Sequence, residues 1–486
     1  MQYNFSKLYA HLNQYKMRVF MTDTTVHTRI SEVMATIGGR IASRALAPGD
    51  RLPSIRRFAA TMGVSPSTVV EAYDRLVAEG LIRAQRGSGF YVSNSALHPL
   101  KLAEAETPKA RAVDPFWVSR QSLDADAAVL KPGCGWLPAD WMPDEALRRA
   151  MRSLAKSDGD LLSYYGSTRG SSFLRRLLLG RLTEEGIAAG PDNLILTSTG
   201  TQALDLVGRF LLRPGDTVLV DDPCYFNFQA LLKAHQVTVV GVPYTPSGPD
   251  IAAFEAVLAT ERPRLYVTNS AIHNPTGATV SPQVAHRLLN AASGSETIIV
   301  EDDIFTDFEP EPSTRLAALD GLDRVIRIGS FSKTLSASAR CGYIAARPDW
   351  IEGLVDLQIA TNFGGPSPIS SEIIAHMLAG GGYRKHMEDL RRRLVRARRE
   401  VADRLSRLDI TPWLQPRGGF NLWCRLPEGV DSGEVAQAAL AEGLVLAPGN
   451  VFSISQGAAG FMRFNVAHML EPRVYQVLTN ALKRVA

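Results

Sequence analysis

The 486-residue sequence is poor in cysteine and has no long apolar segment. Its four cysteines lie far apart, without the spacing of a disulfide framework or a metal site. No apolar run reaches the roughly 18 residues of a membrane-spanning helix, and the N-terminus lacks an uninterrupted signal-peptide core. These absences argue against a secreted or membrane protein. They predict a cytoplasmic protein without a bound metal.

Charge of one sign is also scarce, except in the first part of the chain. The formal net charge is only +4. Residues 1–100, however, contain 12 Lys/Arg and 6 Asp/Glu, whereas the remainder contains 41 and 43. This basic excess predicts a polyanion as the partner of the N-terminal part alone. The length exceeds what one hydrophobic core normally holds and predicts at least two domains.

Composition and patterning divide the chain into four segments. Residues 1–25 mix aromatic and polar residues without periodicity, and we interpret them as an N-terminal extension that is either disordered or an upstream start. Residues 26–93 have regular patterns and predict a small domain. Residues 94–125 carry three prolines among Ala, Lys and Glu, which is typical of a linker. Residues 126–486 form the second domain.

Residues 26–93 have the pattern of three helices and a hairpin. Apolar residues recur at three- and four-residue spacing from Ile30 to Ile41, as on one face of a helix. Ser65 followed by Pro66 is typical of a helix start. Gly87 and Gly89 lie between two short strand-like runs. Three helices followed by a β-hairpin predict a winged helix-turn-helix.

The segment from Gly49 to Val92 resembles the DNA-binding domain of GntR-type regulators. The matching stretches are Leu52-Pro53-Ser54, Gly63-Val64-Ser65, Ala72-Tyr73, Glu79-Gly80-Leu81 and Arg86-Gly87-Ser88-Gly89. The resemblance implies that double-stranded DNA is the partner and that the third helix enters the major groove. The candidate DNA contacts are Arg56, Arg57, Ser65, Ser67, Thr68, Arg86 and Ser88. Pro66 stands where many relatives carry arginine, so the resemblance does not imply an operator sequence. The alternative is a three-helix module that binds protein.

Short apolar runs alternate with helical stretches between residues 190 and 345. The predicted strands are Leu194–Leu196, Val218–Val220, Val237–Val242, Leu265–Val267, Ile298–Val300, Val325–Ile328 and Tyr343–Ala345. This alternation predicts an α/β fold with a mostly parallel, seven-stranded sheet covered by helices on both faces. Ligands of such sheets bind at the carboxyl ends of the strands.

Polar residues follow several of these strands. Gly200, Thr201 and Gln202 open a helix whose free N–H groups and dipole favour a phosphate. Tyr225 offers a ring for stacking. Asn274 can donate to a phenolate oxygen, and Asp302 can keep a pyridine nitrogen protonated. Each motif alone is weak, because each is also common in ordinary loops.

Lys333 lies in a loop of small residues between two predicted strands. A desolvated lysine has a lowered pKa and forms a Schiff base with an aldehyde. Ser330, Ser332 and Arg340 offer the hydroxyls and the guanidinium that a phosphate needs. Pyridoxal 5′-phosphate (PLP) is an aldehyde that carries a phosphate, and the residue types therefore predict it as the cofactor. The alternative is an ordinary loop lysine.

In their order along the chain, these motifs resemble those of fold-type I aminotransferases over residues 130–486. The resemblance implies that Lys333 is the Schiff-base lysine and that Asp302, Asn274 and Tyr225 contact the cofactor ring. The implied phosphate ligands are Gly200, Thr201, Gln202, Ser330, Ser332 and Arg340. It also implies a smaller α+β subdomain.

Two further roles follow from this resemblance. Arg463 would grip the α-carboxylate of an amino acid, and Tyr165 would reach the phosphate of the neighbouring subunit in a homodimer. The family normally places a tyrosine shortly after the aspartate, but Ile304 and Phe305 occupy the two candidate positions here. The missing hydroxyl favours sensing over fast turnover.

A GntR-type head joined to an aminotransferase-like body resembles the MocR subfamily of transcription regulators. This resemblance implies a dimer that binds DNA, associates with the nucleoid when bound, and senses an amino acid, an amine or PLP itself through Lys333. The competing interpretation is an active aminotransferase that carries a DNA-binding head.

Overall fold

The computed structural model describes residues 28–43, 45–85, 87–93, 114–126, 128–156, 161–163 and 165–485. The chain divides into two compact units, Met1–Ala110 and Arg111–Ala486. The predicted N-terminal extension, residues 1–25, lies outside the described residues, as do residues 94–113 of the predicted linker.

The N-terminal unit is the predicted winged helix-turn-helix. Its elements are α1 (Arg29–Ala42), α2 (Ile55–Met62), α3 (Pro66–Ala78), β1 (Ile82–Gln85) and β2 (Gly89–Val92). Helix α2 ends at Gly63, whose left-handed φ of +62° suits glycine. The core contains Val33, Phe58 and Tyr73, all buried. The Tyr73 hydroxyl donates to the Pro53 carbonyl at 3.0 Å and thereby joins α3 to the entry of α2.

The C-terminal unit is built on a large sheet with helices on both faces. Its strands are β3 (Leu194–Thr197), β4 (Thr217–Asp222), β5 (Thr238–Thr245), β6 (Gly248–Pro249), β7 (Leu265–Thr268), β8 (Ile298–Asp302), β9 (Val325–Ser330) and β10 (Gly342–Ala345). Their spatial order is β3-β10-β9-β8-β7-β4-β5-β6.

All seven predicted strands are present, and the sheet is mostly parallel. Strand β10 is the exception inside it, because it runs antiparallel to both β3 and β9. Its residue Gly342 pairs with Thr197 on one side and with Ser330 on the other. The predicted count of seven misses β6, a two-residue Gly-Pro strand with no apolar run, which pairs antiparallel with the end of β5.

Helices cover both faces because neighbouring strand residues point to opposite sides. On β3, Ile195 packs in one apolar cluster, whereas Leu194 and Leu196 pack in the other. The helices are α4 (Pro115–Asp124), α5 (Asp144–Leu154), α6 (Ser172–Glu184), α7 (Gly200–Leu211), α8 (Phe226–Ala234), α9 (Ile251–Glu261), α10 (Pro282–Ser293), α11 (Leu316–Asp320), α12 (Pro348–Asn362), α13 (Pro368–Ala379), α14 (Gly382–Ser406), α15 (Ser432–Leu440) and α16 (Pro472–Val485).

A smaller, antiparallel sheet completes the unit and corresponds to the expected α+β subdomain. Its strands are β11 (Thr411–Pro412), β12 (Asn421–Arg425), β13 (Ala447–Pro448) and β14 (Phe461–Asn465), in the order β11-β12-β14-β13. Leu422 and Phe464 pair across its two central strands and are fully buried. Helices α15 and α16 pack against each other in the same part of the chain.

Helix α4 differs from expectation, since it lies inside the range predicted as a linker. Asp114 accepts a hydrogen bond from the Trp117 N–H at 2.6 Å, and Pro115 takes the first helical position. Trp117 and Val118 are buried, which ties the helix to the C-terminal unit. None of the helices in the described ranges is long and apolar enough to cross a membrane.

Candidate functional site

Lys333 lies in the loop between β9 and β10, and its side chain is partly buried. Its Nζ donates to the Gly135 carbonyl at 2.6 Å. Burial lowers the pKa of the amine to about 8, and the Arg463 guanidinium contributes to the same shift. A lysine with such a pKa is partly neutral near neutral pH, and the neutral amine is the nucleophilic form.

Asp302 is the last residue of β8 and is 8% exposed. Burial raises the pKa of this carboxyl to about 7, and the neighbouring Asp303 carboxylate adds to the shift. Its Oδ1 is buried and has no hydrogen-bond partner within the part of the chain that the structure describes. The Asp302 carboxylate and the Lys333 amine shift each other's pKa, so the two groups belong to one site.

Arg463 extends from β14 into the same site and is fully buried. Its Nη1 donates to Asn274 Oδ1 at 2.9 Å, and its Nη2 donates to the Gly133 carbonyl at 2.7 Å. No carboxylate of the described residues lies within ion-pair distance, and Nε has no acceptor there. Burial lowers the pKa of Arg463 to about 10. A buried cation without a counter-ion is costly and is suited to an anionic ligand.

Tyr225 and Asn274 complete the side of the site next to Arg463. Tyr225 directly precedes the first residue of α8 and is partly buried. Burial raises the pKa of its hydroxyl, Arg463 opposes the shift, and Asp302 adds to it. The bond from Arg463 orients the Asn274 amide with its oxygen toward the guanidinium. The amide nitrogen of Asn274 therefore points elsewhere as a donor.

The N-terminus of α7 supplies backbone donors directly after β3. The first N–H groups of a helix have no acceptor within the helix. Gly200 adjoins Ser330, because a Cβ added at Gly200 would lie 3.5 Å from Ser330 Cβ. Thr201 is exposed, and the Gln202 side chain accepts from the Ser198 N–H at 2.6 Å and so braces the turn.

The lysine loop meets this helix with two hydroxyls. Ser330 Oγ accepts from the Ser332 N–H at 3.2 Å and donates to the Cys341 carbonyl at 3.1 Å. Arg340 is exposed and has no ion-pair partner among the described residues. Helix N–H groups, serine hydroxyls and a free guanidinium are together the donors that bind a phosphate.

Phe305 and Ile304 supply no hydroxyl to the site. Phe305 is 4% exposed, and its ring lies 5.5 Å from Phe420 and 6.0 Å from Phe308. Ile304 lies beside the start of α7, since its Cγ2 would be 3.5 Å from a Cβ at Gly200. The tyrosine hydroxyl that the family normally places after the aspartate is therefore not supplied by either residue.

Tyr165, another predicted cofactor residue, has no contact with Lys333, Asp302 or Arg463 in the part of the chain that the structure describes. It is 79% exposed, and its ring packs 4.8 Å from that of Phe363, which is 67% exposed. The two rings form an aromatic pair on the surface of the unit.

Sequence reasoning missed the segment from Gly133 to Gly135. A Cβ at Gly133 would lie 2.4 Å from the Leu446 carbonyl carbon, so only glycine fits there. A Cβ at Gly135 would lie 3.7 Å from Lys333 Nζ and 3.8 Å from Arg463 Nη2. Asn465 holds the segment, because its amide donates to the Trp136 carbonyl at 2.7 Å. The available signal was the pair of glycines between Pro132 and Trp136.

The candidate DNA contacts lie mostly on the exposed surface of the N-terminal unit. Arg56, Arg57 and Ser67 are exposed on α2 and α3. Ser65 caps α3, because its Oγ accepts from the Thr68 N–H at 3.2 Å. The same oxygen lies 2.8 Å from the hydroxyls of Ser67 and Thr68.

The wing contributes less to the described surface. Ser88 Oγ lies 2.6 Å from the Tyr91 hydroxyl, which fixes its position in the hairpin. Arg86, the predicted wing contact, lies outside the described residues.

Two family models match the chain. Residues 29–92 match the model of bacterial regulatory proteins of the gntR family. Residues 137–480 match the model of class I and II aminotransferases.

Proteins of this architecture and solved aminotransferases are similar to the chain. The HTH-type transcriptional regulator YdcR of Escherichia coli (strain K12) is 30% identical over 437 residues, which is 88% of this chain and 92% of the relative. NorG, an HTH-type transcriptional regulator of Staphylococcus aureus, is 26% identical over 89% of this chain and 100% of its own length.

Solved aminotransferase structures are also similar to the chain. LysN, the α-aminoadipate aminotransferase of Thermus thermophilus complexed with N-(5′-phosphopyridoxyl)-L-leucine, has a TM-score of 0.69 at 26% identity and covers 76% of this chain and 95% of its own. The kynurenine aminotransferase of Pyrococcus horikoshii has a TM-score of 0.69 at 25% identity and covers 78% of this chain and 95% of its own. The chain is therefore a transcription regulator of the MocR subfamily, in which a GntR-type winged helix-turn-helix is joined to a class I and II aminotransferase domain.

Proposed function

We propose that the C-terminal unit binds PLP at Lys333 and that an amino acid, an amine or PLP itself is the signal that changes DNA binding by the N-terminal unit. The observation that carries this proposal is the convergence of three side chains at one site. They are an amine with a lowered pKa, a buried carboxyl with an unused acceptor and a buried guanidinium without a counter-ion.

The residues around Asp302 fit the ring of PLP. When bound, PLP supplies an aldehyde that condenses with a lysine amine and a pyridinium that withdraws electrons. Asp302 Oδ1 is a buried acceptor that a protonated ring nitrogen would satisfy. Asn274 would donate from its amide nitrogen to the ring oxygen, and Tyr225 would stack on the ring.

The residues around Ser330 fit the phosphate. The N–H groups at Gly200 and Thr201 carry the positive end of the α7 dipole. Ser330, Ser332 and Arg340 add two hydroxyls and a positive charge. Gln202 would act from behind, because its side chain is already bonded to the Ser198 N–H.

Arg463 favours a signal molecule that carries a carboxylate. Its guanidinium is buried, and among the described residues it bonds only to a side-chain amide and a backbone carbonyl and has an Nε without an acceptor. A carboxylate would accept two hydrogen bonds from such a group and neutralise its charge. The α-carboxylate of an amino acid is the simplest ligand of this kind.

A homodimer would give Tyr165 a role at the neighbouring subunit's phosphate. Its ring is exposed beside Phe363, and such an aromatic pair is suited to burial against a second protein surface. The dimer would bind two half-sites of an operator through α3, with Arg56 and Arg57 near phosphates. Such a target places the working protein in the cytoplasm, at the nucleoid.

Genuine transamination is the second candidate, because Lys333, Asp302 and Arg463 are all in place. Ile304 and Phe305 argue against it, since neither can donate to the ring oxygen. Steady-state turnover with a panel of amino acids and keto acids separates the two. We expect at most a single half-reaction, and sustained turnover would contradict a purely regulatory role.

Absorbance and covalent trapping test the proposal. Purified protein supplied with PLP should turn yellow, and borohydride should fix the cofactor to the peptide that contains Lys333. Lys333→Ala should give no such adduct. Operator binding, measured by fluorescence anisotropy after in vitro selection of the site, should then respond to PLP or to an amino acid in the wild type and not in Lys333→Ala. A wild-type protein that stays colourless and gives no adduct contradicts the proposal.

A further inference from the structure

A cavity of about 210 Å³ lies between the large and the small sheets, away from Lys333. We call it the seam cavity and define it by Asp222, Tyr244, Trp413, Trp423 and Phe461. Asp222 ends β4 and Tyr244 lies near the end of β5, whereas Trp423 and Phe461 belong to β12 and β14. The two walls therefore come from different sheets of the same unit.

Asp222 gives the seam cavity a fixed negative charge. Its two carboxylate oxygens accept from the Ile454 N–H at 3.1 Å and the Ser455 N–H at 3.0 Å. These bonds hold the carboxylate in place and leave further lone pairs unused. No Lys or Arg in the described ranges forms an ion pair with Asp222, so only the two backbone N–H groups act on its charge.

Aromatic rings form most of the remaining surface. Trp423 and Phe461 are stacked with their centroids 5.3 Å apart, and the Arg425 guanidinium lies 4.9 Å from the Phe461 centroid. The Phe461 ring is thus already packed against protein side chains, and it contributes only to the wall of the cavity. Trp413 is partly buried and has no aromatic or cationic partner among the described residues. It therefore offers an indole to a ligand, and indole faces attract cations.

The seam cavity is separate from the site around Lys333, but a chain of packed side chains connects them. Arg463 lies 4.9 Å from the Phe452 ring, and Phe452 packs 5.5 Å from Trp423. The Phe452 ring therefore lies between Arg463 and Trp423, while Pro223 and Thr276, which also line the seam cavity, lie in the loops that carry Tyr225 and Asn274. Neither Lys333 nor Arg463 lines the seam cavity.

A single ligand class matches these properties. A carboxylate without an ion-pair partner among the described residues, beside a free indole, selects a positive charge that is poorly hydrated, as in alkylammonium groups. The volume is below the roughly 300 Å³ of typical drug-sized sites and admits only a small molecule. We propose that the seam cavity binds a small organic cation independently of the site around Lys333. Such a ligand would touch both sheets and would brace the wall behind Arg463.

A quaternary ammonium ion is the appropriate probe, because it cannot condense with an aldehyde and so cannot report on Lys333. Choline and tetramethylammonium are titrated calorimetrically into the full-length protein loaded with PLP. We expect saturable binding that Trp413→Leu and Asp222→Asn each weaken by about tenfold. Trp350→Leu, which removes an indole elsewhere, and Lys333→Ala should leave it unchanged. Thermal melting identifies any variant that has lost its fold.

Several results would overturn the proposal. One is the absence of saturable binding by either cation, and another is binding that Trp413→Leu does not affect. Loss of binding in Lys333→Ala would assign the ligand to the PLP site. Equal affinity for 3,3-dimethyl-1-butanol, the uncharged analogue of choline, would show that the cavity selects bulk and not charge. None of these results bears on whether PLP binds at Lys333.

Discussion

Replacing Asp302 by asparagine should make the PLP-free protein more stable at neutral pH. The carboxyl is 8% exposed, and burial raises its pKa from 3.8 to about 7. Each pKa unit corresponds to about 1.4 kcal/mol, so the full shift represents about 4 kcal/mol. The raised pKa means that the protonated Asp302 carboxyl stabilises the folded state relative to the ionised one. This stabilisation is complete below the unfolded pKa of 3.8 and is lost as the pH rises through about 7.

Between about pH 5.5 and about pH 8, the wild type should lose about 2 kcal/mol of unfolding free energy through this one group. Asp302→Asn keeps the shape, cannot ionise and should lack that loss. The assay is denaturant unfolding of PLP-free protein, followed by a signal of the C-terminal unit at both pH values. Asp250→Asn is the matched control, because it keeps a capping oxygen at the start of α9 and should show the wild-type slope.

Two results would refute this reasoning. If Asp302→Asn loses as much unfolding free energy as the wild type between the two pH values, the buried carboxyl is not the source of the pH dependence. If saturating PLP leaves the wild-type slope unchanged, the ring nitrogen does not pair with Asp302.

Four further outcomes are expected. Covalent attachment of PLP should accelerate as the pH rises through about 8, because the Lys333 amine loses its proton there; a flat absorbance-rate profile would contradict this. Arg463→Gln should weaken the binding of amino acids by about tenfold or more in calorimetry and barely affect the binding of the corresponding decarboxylated amines. Gly135→Ala should slow PLP attachment severalfold in stopped-flow absorbance without a change in melting temperature, since its methyl group would lie 3.7 Å from Lys333 Nζ. Ser65→Ala should cost about 1 kcal/mol in unfolding of the N-terminal unit and weaken operator binding in anisotropy, whereas Ser65→Thr should not.

The parts of the fold that local patterns specify could be predicted from the sequence. The strands of the large sheet are continuous apolar runs, and the chemical residues follow them directly, as Asp302 follows Val300. Helix α3 has its cap and its proline side by side in Ser65 and Pro66. Strand β6 has two residues, so no pattern distinguishes it from a loop. Helix α4 has a start signal in Asp114 and Pro115, but it lies in a proline-containing stretch whose composition is typical of a linker.

The geometry of the site depends on contacts that are distant in sequence. The Gly135 carbonyl accepts a hydrogen bond from Lys333, which is 198 residues away in the sequence. The Asn274 side chain accepts one from Arg463, which is 189 residues away. No local pattern encodes such pairs, so Gly135 was missed although its neighbour in space was found. The lack of an ion pair at Asp222 in the described ranges is equally a property of the folded chain.

The pairing of Gly342 with both Thr197 and Ser330 joins the strand before α7 to the strand before the lysine loop. Backbone hydrogen bonds across these three adjacent strands set the spacing between the start of α7 and the lysine loop. Arg463 belongs to the other sheet, and its two hydrogen bonds go to Asn274 and Gly133, which lie outside these three strands. Under the proposed function, a ligand that binds Arg463 can therefore shift this side chain without disturbing the backbone around the proposed phosphate site.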